Sequence, residues 1–133
     1  MSENLDLVRS IGAAWEGGDF SSAEWADPGI EVVVSDGPSP RRWSGLAGMA
    51  ESEREFLNAW ENYSLTVDEF RELDGDRALL LVHHTGRGKT SGLELSQMQS
   101  EGAVLFHISG GKVNRLTLYW NRNRALADLG LEK

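Results

Sequence analysis

The sequence predicts an α+β domain in which helices come first and a run of antiparallel strands follows. In the N-terminal half, apolar residues recur every three or four positions, the spacing of amphipathic helices. From residue 63 the spacing changes to alternation, which is typical of strands. Glycine-containing turns separate the later segments. This order favours a curved sheet with helices packed on one face.

The N-terminal half predicts two full helices and a shorter one. Residues 4–16 have helical spacing and end at Gly17-Gly18, because glycine readily adopts the left-handed conformation that closes a helix. Asp19 is the predicted cap of a short helix before a strand at 30–34. Residues 36–42 are predicted to form a loop, and Ser44 caps the next helix. One face of that helix carries Leu46, Met49, Glu53, Phe56, Leu57 and Trp60.

The C-terminal half predicts an antiparallel meander and a closing helix. The alternation that begins at Tyr63 changes phase before Phe70, which indicates a bulge. Asp74-Gly75-Asp76 and Gly110-Gly111 predict tight turns, and Asn121 can cap the last helix. The predicted strands span residues 63–73, 78–84, 93–108 and 112–120.

Length and composition limit the classes of partner. With 133 residues the chain fits one domain, residues 1–133. The formal net charge of −8 disfavours nucleic acid and anionic membrane surfaces as partners, since both carry negative charge. Without cysteine, disulfides and thiolate metal sites are excluded. No apolar run reaches the length of a membrane span and no signal segment precedes the domain, so we expect a cytoplasmic location.

No motif for a metal, a cofactor or a nucleophilic triad is visible. The three histidines lack metal-ligand spacing, and no set of nucleophile, base and orienting residue stands out. The glycine-rich segment at 86–92 lies between two strands and lacks the spacing of a phosphate-binding loop. We therefore expect neither a metal nor a cofactor.

Several stretches resemble the SnoaL-like branch of the NTF2-like superfamily over nearly the whole chain. The segment W-E-G-G-D-F at 15–20 is similar to the link between the first two helices of that family. Gly45 and Trp60 are similar to its middle segment, and residues 73–77 and 86–92 resemble its hairpin and a glycine-rich turn. Gly111-Lys112-Val113 and the ending A-L-A-D-L-G-L complete the resemblance. It implies a conical α+β barrel, a pocket for a small hydrophobic molecule between the sheet and the helices, and a homodimer through the outer sheet face.

His83 and His84 are the candidate catalytic residues. Successive strand residues point to opposite faces, so only one of the two faces a pocket and they cannot clamp one metal ion. His84 shares its phase with Ala78, Leu80 and Val82, which suit a concave face, but Leu79 and Leu81, in phase with His83, are equally apolar. A pocket histidine could act as a general base near neutral pH. The alternative is a surface or interface histidine.

The pocket candidates are aromatic or apolar. Tryptophan offers a large flat surface and one N–H donor, which suits an aromatic or apolar ligand, although a core role is the alternative. On the last strand the inward phase is apolar, and Leu118 stands where the resemblance implies an acid. This departure leaves two functions open: cofactor-free acid–base chemistry on a small hydrophobic compound, or ligand binding or dimerisation without catalysis. The predicted pocket residues are Trp15, Trp43, Trp60, Leu116, Leu118 and Trp120.

Overall fold

The computed structural model describes residues 3–19, 24–35, 41–88 and 101–131. In these ranges six strands form one sheet in the order β2-β1-β6-β5-β4-β3. The elements in chain order are α1 (Glu3–Glu16), β1 (Ala26–Val34), β2 (Arg41–Ser44), α2 (Gly45–Ala59), β3 (Trp60–Glu72), β4 (Arg77–Gly88), β5 (Glu101–Ser109), β6 (Lys112–Tyr119) and α3 (Arg122–Asp128).

The predicted α+β class, with helices on a curved sheet, is confirmed, but the sheet is mixed and open. Strand β1 runs parallel to β6, while every other neighbouring pair is antiparallel. Strand β1 belongs to the N-terminal half and pairs with β2 on one side, whereas β6 ends the C-terminal meander. Within the described residues, the predicted antiparallel sheet is therefore corrected at one place, the parallel pairing of β1 with β6.

Helix α1 packs closely on the sheet through the side predicted from its apolar spacing. Val8, Ile11 and Trp15 are buried on that side. Gly12 lies between them, and a Cβ atom there would be 3.3 Å from a methyl carbon of Val67. A larger residue would push the helix away from β3, because packed interiors have little spare volume.

The local signals in the C-terminal half correspond to observed features. The pairing of β3 with β4 shifts register between Val67 and Glu69, which confirms the predicted bulge. The Asn121 side chain accepts hydrogen bonds from the backbone N–H groups of Asn123 and Arg124, so the predicted cap of the last helix is confirmed. Ser44 precedes α2 but makes no side-chain capping bond.

One expectation in the N-terminal half changes, and two other predicted segments fall partly outside the described residues. Arg41 and Arg42 were expected in a loop, yet Arg41–Ser44 is a strand that pairs with Glu31–Val34. These four residues, two of them arginine, carry no strand signal of their own and form a strand through their pairing with β1. The short helix predicted after Asp19 falls largely on residues 20–23, and the first part of the strand predicted at 93–108 falls on 93–100; both lie outside the described residues.

The sheet is covered by apolar residues on both faces along β4 and β5. The inner layer, between the sheet and helices α1 and α2, contains Leu80, Val82 and Phe106. The outer layer contains Leu79 and Leu81, which pack with Ala125 and Leu126 of α3. Covering both faces explains why both phases of β4 are equally apolar in the sequence. No helix within the described ranges has the length and apolar character needed to cross a membrane.

Candidate functional site

A cavity of about 460 Å³ lies on the inner face of the sheet, under helix α2. Its lining is mainly apolar and comes from both long helices and all six strands. All five tryptophans of the chain contribute to it. The predicted pocket residues all belong to the lining: Trp15, Trp43, Trp60, Leu116, Leu118 and Trp120.

His84 is a buried polar residue of this lining. It lies on β4, and only 7% of its surface is exposed. The Tyr63 hydroxyl is 3.1 Å from the His84 Nδ1 atom, a hydrogen-bond distance. The ring of Trp120 lies against the imidazole, with 5.4 Å between ring centroids. The Tyr63 hydroxyl and the Trp120 ring therefore both help to orient the imidazole.

Tyr63 reaches His84 from the neighbouring strand. Leu65 on β3 pairs with His84 on β4. Tyr63 lies two residues before Leu65, so its side chain points to the same face of the sheet. Burial raises the pKa of the Tyr63 hydroxyl well above its usual range. The phenol therefore stays neutral and can either donate a hydrogen bond to the imidazole or accept one from it.

Gly102 allows the strands behind His84 to come together. It pairs with Val82 on β4. A Cβ atom at this position would be 2.7 Å from the Tyr119 carbonyl oxygen and 3.8 Å from Cε1 of His84. Only a residue without a side chain fits so close to a backbone oxygen, so this glycine maintains the local geometry of the lining.

Glu53 is a site residue that the sequence analysis did not select. It lies on α2, is half-buried and lines the cavity. Burial, with a smaller contribution from the negative charge of Asp19, raises the pKa of Glu53 to about 7. The sequence offered one indication of this role: Glu53 is an acid on a helix face that is otherwise apolar.

Arg41 and Glu55 form a charged pair on another part of the lining. The Arg41 guanidinium donates a hydrogen bond to the Glu55 carboxylate. It also lies over the Trp43 ring, 4.7 Å from the ring centroid, in a cation–π arrangement. The positive charge of Arg41 is therefore already paired with the Glu55 carboxylate and the Trp43 ring.

Aromatic rings form a continuous group near His84, which we call the aromatic cluster. Phe56 of α2 joins its members, since its ring centroid lies 4.7 Å from that of Tyr63 and 5.6 Å from that of Trp120. The rings of Trp60 and Trp120 are 5.8 Å apart. The cluster consists of Phe56, Trp60, Tyr63 and Trp120.

His83 lies on the outer face of the sheet, away from the cavity. Its Nδ1 atom is 2.8 Å from the Asp68 carboxylate, and half of its side chain is exposed. Arg122 donates to the same carboxylate at 2.5 Å and to the Val82 carbonyl oxygen at 2.7 Å. Partial burial favours the neutral acid, but the hydrogen bonds from Arg122 and His83 prevail and lower the pKa of Asp68. We call His83, Asp68 and Arg122 the outer polar cluster.

His107 also lies on the outer face. It pairs with Arg77 on one neighbouring strand and with Arg115 on the other. Burial, reinforced by the positive charges of Arg115 and Arg77, lowers the pKa of this imidazole. Across the described part of the chain, no group of three or more potential metal ligands occurs.

Comparison with solved structures identifies the fold. A protein of unknown function from Burkholderia pseudomallei, named NTF2-like, is 17% identical with a TM-score of 0.77, and 96% of this chain covers 97% of that one. A Mesorhizobium loti protein with the provisional name SnoaL-like polyketide cyclase is 14% identical with a TM-score of 0.70, and 86% of this chain covers 96% of that one.

A third structure holds a small molecule. It is a Catenulispora acidiphila protein with a ketosteroid isomerase-like fold, in complex with trimethylamine. It is 17% identical to this chain with a TM-score of 0.67, and 96% of this chain covers 94% of that one. No protein-family model and no curated protein matches the sequence. The chain therefore has the NTF2-like fold, the fold found in SnoaL-like proteins.

Proposed function

We propose that the protein binds a small apolar compound in the inner cavity and transfers a proton on it without a cofactor, with His84 as the base. The supporting observation is the buried imidazole of His84 in the cavity lining, hydrogen-bonded to Tyr63. A histidine takes up and releases protons near neutral pH, and a fixed orientation makes such a transfer efficient.

Glu53 supplies a second group for this chemistry. With a pKa of about 7, its carboxyl group is present in both protonation states near neutral pH. Its neutral form can donate a proton and its ionised form can accept one, so in either form it can act beside His84 in an isomerisation, a cyclisation or an elimination. The apolar lining supports this role, because a group with few water contacts interacts strongly with charge that develops on the substrate.

Binding without catalysis is the second candidate function. The last strand contributes Leu116, Leu118 and Tyr119 to the cavity lining, and none of the three is an acid. Such a surface suits a hydrophobic ligand equally well. Dimerisation alone has less support, since the cavity retains about 460 Å³ of space rather than being filled by side chains.

A general probe of cavity bases separates catalysis from binding. In 5-nitrobenzisoxazole, removal of the C3 proton sends the C–H electrons into a nitrile bond while the N–O bond breaks, giving a coloured 2-cyano-4-nitrophenolate. We expect the protein to accelerate this elimination and His84→Ala to slow it by about 100-fold. His83→Ala is the matched control, because it removes the adjacent imidazole from the opposite face and should leave the rate unchanged.

The result of this assay is read together with binding of Nile red, a neutral apolar dye. Dye binding without any rate acceleration would support the binding function and contradict catalysis. A His84→Ala variant that keeps the wild-type rate would show that His84 is not the base. Failure of the wild-type protein both to bind the dye and to accelerate the elimination would contradict both functions.

The assembly and the location of the protein stay predictions. The resemblance implies a homodimer through the outer sheet face, but α3 already covers the apolar residues Leu79 and Leu81 there. We therefore propose that a dimer would use the more polar part of that face, around Arg115 on β6. Sedimentation analysis tests this, and a monomer at micromolar concentration would contradict it. Cell fractionation tests the cytoplasmic location.

A further inference from the structure

The charges around the cavity do not balance. Among the described residues that line it, Arg41 is the single arginine or lysine, and it is engaged by Glu55 and Trp43. Glu53 also lines the cavity, and within the described ranges its carboxylate has neither a hydrogen-bond partner nor an ion-pair partner. Among the described residues, the lining therefore contains one acid whose negative charge no neighbouring cation compensates.

The surroundings of this acid are rich in aromatic rings. The aromatic cluster of Phe56, Trp60, Tyr63 and Trp120 belongs to the same lining, and Phe56 follows Glu53 by three residues on α2. Residues three apart on a helix lie on the same side. Aromatic faces carry partial negative charge, so they attract cations, and tryptophan does so most strongly. Both kinds of group thus favour positive charge.

We propose that the compound bound in this cavity is an apolar organic ammonium, whose cationic nitrogen is recognised by the Glu53 carboxylate and the aromatic cluster. This inference rests on the proposed function, since it assumes that the cavity binds a small molecule. An anionic ligand is disfavoured because Arg41 is already paired and the chain carries a net charge of −8. A neutral apolar ligand would leave Glu53 without compensation.

The energetics of Glu53 agree with this assignment. Burial disfavours its ionised form in the ligand-free protein. A cation placed beside the carboxylate would reverse this effect, because an opposite charge within a few ångströms stabilises the ionised form. Binding of an ammonium compound should therefore release a proton from Glu53 near pH 7, whereas binding of a neutral compound should not.

Two compounds of nearly the same shape test the inference. Phenyltrimethylammonium carries a permanent positive charge, while tert-butylbenzene replaces the nitrogen with carbon and is neutral. Because all five tryptophans line the cavity, their fluorescence reports binding of either compound. At pH 8 we expect phenyltrimethylammonium to bind about tenfold more tightly than tert-butylbenzene.

Two variants identify the origin of this preference. Glu53→Gln should reduce the preference at least threefold, because the variant loses the carboxylate that attracts the cation. Glu51→Gln, on the same helix but outside the lining, makes the same change of charge and should keep the preference. A preference that survives in Glu53→Gln would overturn the role of Glu53.

The remaining outcomes separate this inference from the proposed function. If tert-butylbenzene binds as tightly as the cation, the cavity takes apolar compounds and the ammonium assignment is wrong, while the proposed function stands. If neither compound changes the fluorescence, the ammonium assignment is wrong, and the Nile red and elimination assays then decide the proposed function independently.

Discussion

His83 and His84 are neighbours in the sequence but occupy opposite faces of β4. His84 is buried in the cavity lining, with Tyr63 as a hydrogen-bond partner and Trp120 against its ring. His83 is half-exposed and belongs, with Asp68 and Arg122, to the outer polar cluster. One imidazole thus lies among aromatic rings with few charges, and the other lies among charges with ready access to water.

The acids on the two faces show the same contrast. On the inner face, burial raises the pKa of Glu53 to about 7. On the outer face, hydrogen bonds from Arg122 and His83 overcome partial burial and lower the pKa of Asp68. The difference arises because the Asp68 carboxylate is hydrogen-bonded to Arg122 and His83, whereas Glu53 has no such partner in the described structure. On the outer face, hydrogen bonds between polar groups connect neighbouring strands, whereas on the inner face Glu53 lies in the cavity lining without such a bond in the described structure.

The largest expected effect is on the outer face. Arg122→Ala removes the ion pair with Asp68 and the hydrogen bond to the Val82 carbonyl oxygen, which together connect α3 to β3 and β4. We expect the free energy of unfolding to fall by about 2 kcal/mol, measured by urea denaturation. Arg124→Ala is the control, since its exposed ion pair with Asp128 should contribute less than about 0.5 kcal/mol. Equal losses in the two variants would contradict a special role for Arg122.

A smaller effect is expected on the inner face. Tyr63→Phe removes the hydroxyl that bonds to His84 Nδ1, and we expect a loss of about 1.5 kcal/mol in the free energy of unfolding. The His84 imidazole resonances should move in NMR spectra, while those of His83 serve as an internal control and should not. Unchanged His84 resonances would mean that this bond does not orient the imidazole.

The smallest effect depends on pH and compares the two acids. The pKa of Glu53 is higher in the folded state than in the unfolded state. The free energy of unfolding therefore falls as the pH rises from about 4.5 through about 7, because the buried carboxyl group must ionise. Glu53→Gln removes this loss, so at pH 8.5 the variant should be more stable by about 1 kcal/mol, a value reduced because the carboxylate is half exposed.

Asp68→Asn provides the matched comparison at the opposite end of the pH range. The lowered pKa of Asp68 contributes stability above its unfolded pKa, and that stability is lost as the pH falls through the folded value. We therefore expect urea denaturation between pH 3 and pH 9 to give different changes in the two variants. The free energy of unfolding should change at the acidic end of this range in Asp68→Asn and at the alkaline end in Glu53→Gln. A variant of Glu53 that is less stable than the wild type at pH 8.5 would contradict the raised pKa.

Local signals in the sequence were sufficient for much of the fold. The spacing of apolar residues predicted α1, α2 and α3, and a phase change predicted the bulge in β3, because both features depend on residues close in the chain. Strand β2 was missed, since four residues rich in arginine have no strand signal until they pair with β1. The parallel pairing of β1 with β6 was missed for a similar reason: it joins segments far apart in sequence.

By itself, the sequence determined the α+β order, the abundance of tryptophan and the fact that His83 and His84 point in opposite directions. Only the tertiary structure decided which of the two lies in the cavity. Because α3 covers part of the outer face, both faces of β4 carry buried apolar residues, and the sequence does not distinguish the two faces. The tertiary structure also decided that Glu53 lines the cavity and that Tyr63 meets His84. Strand alternation defines two faces locally, but the helices that pack on each face determine which becomes the inside.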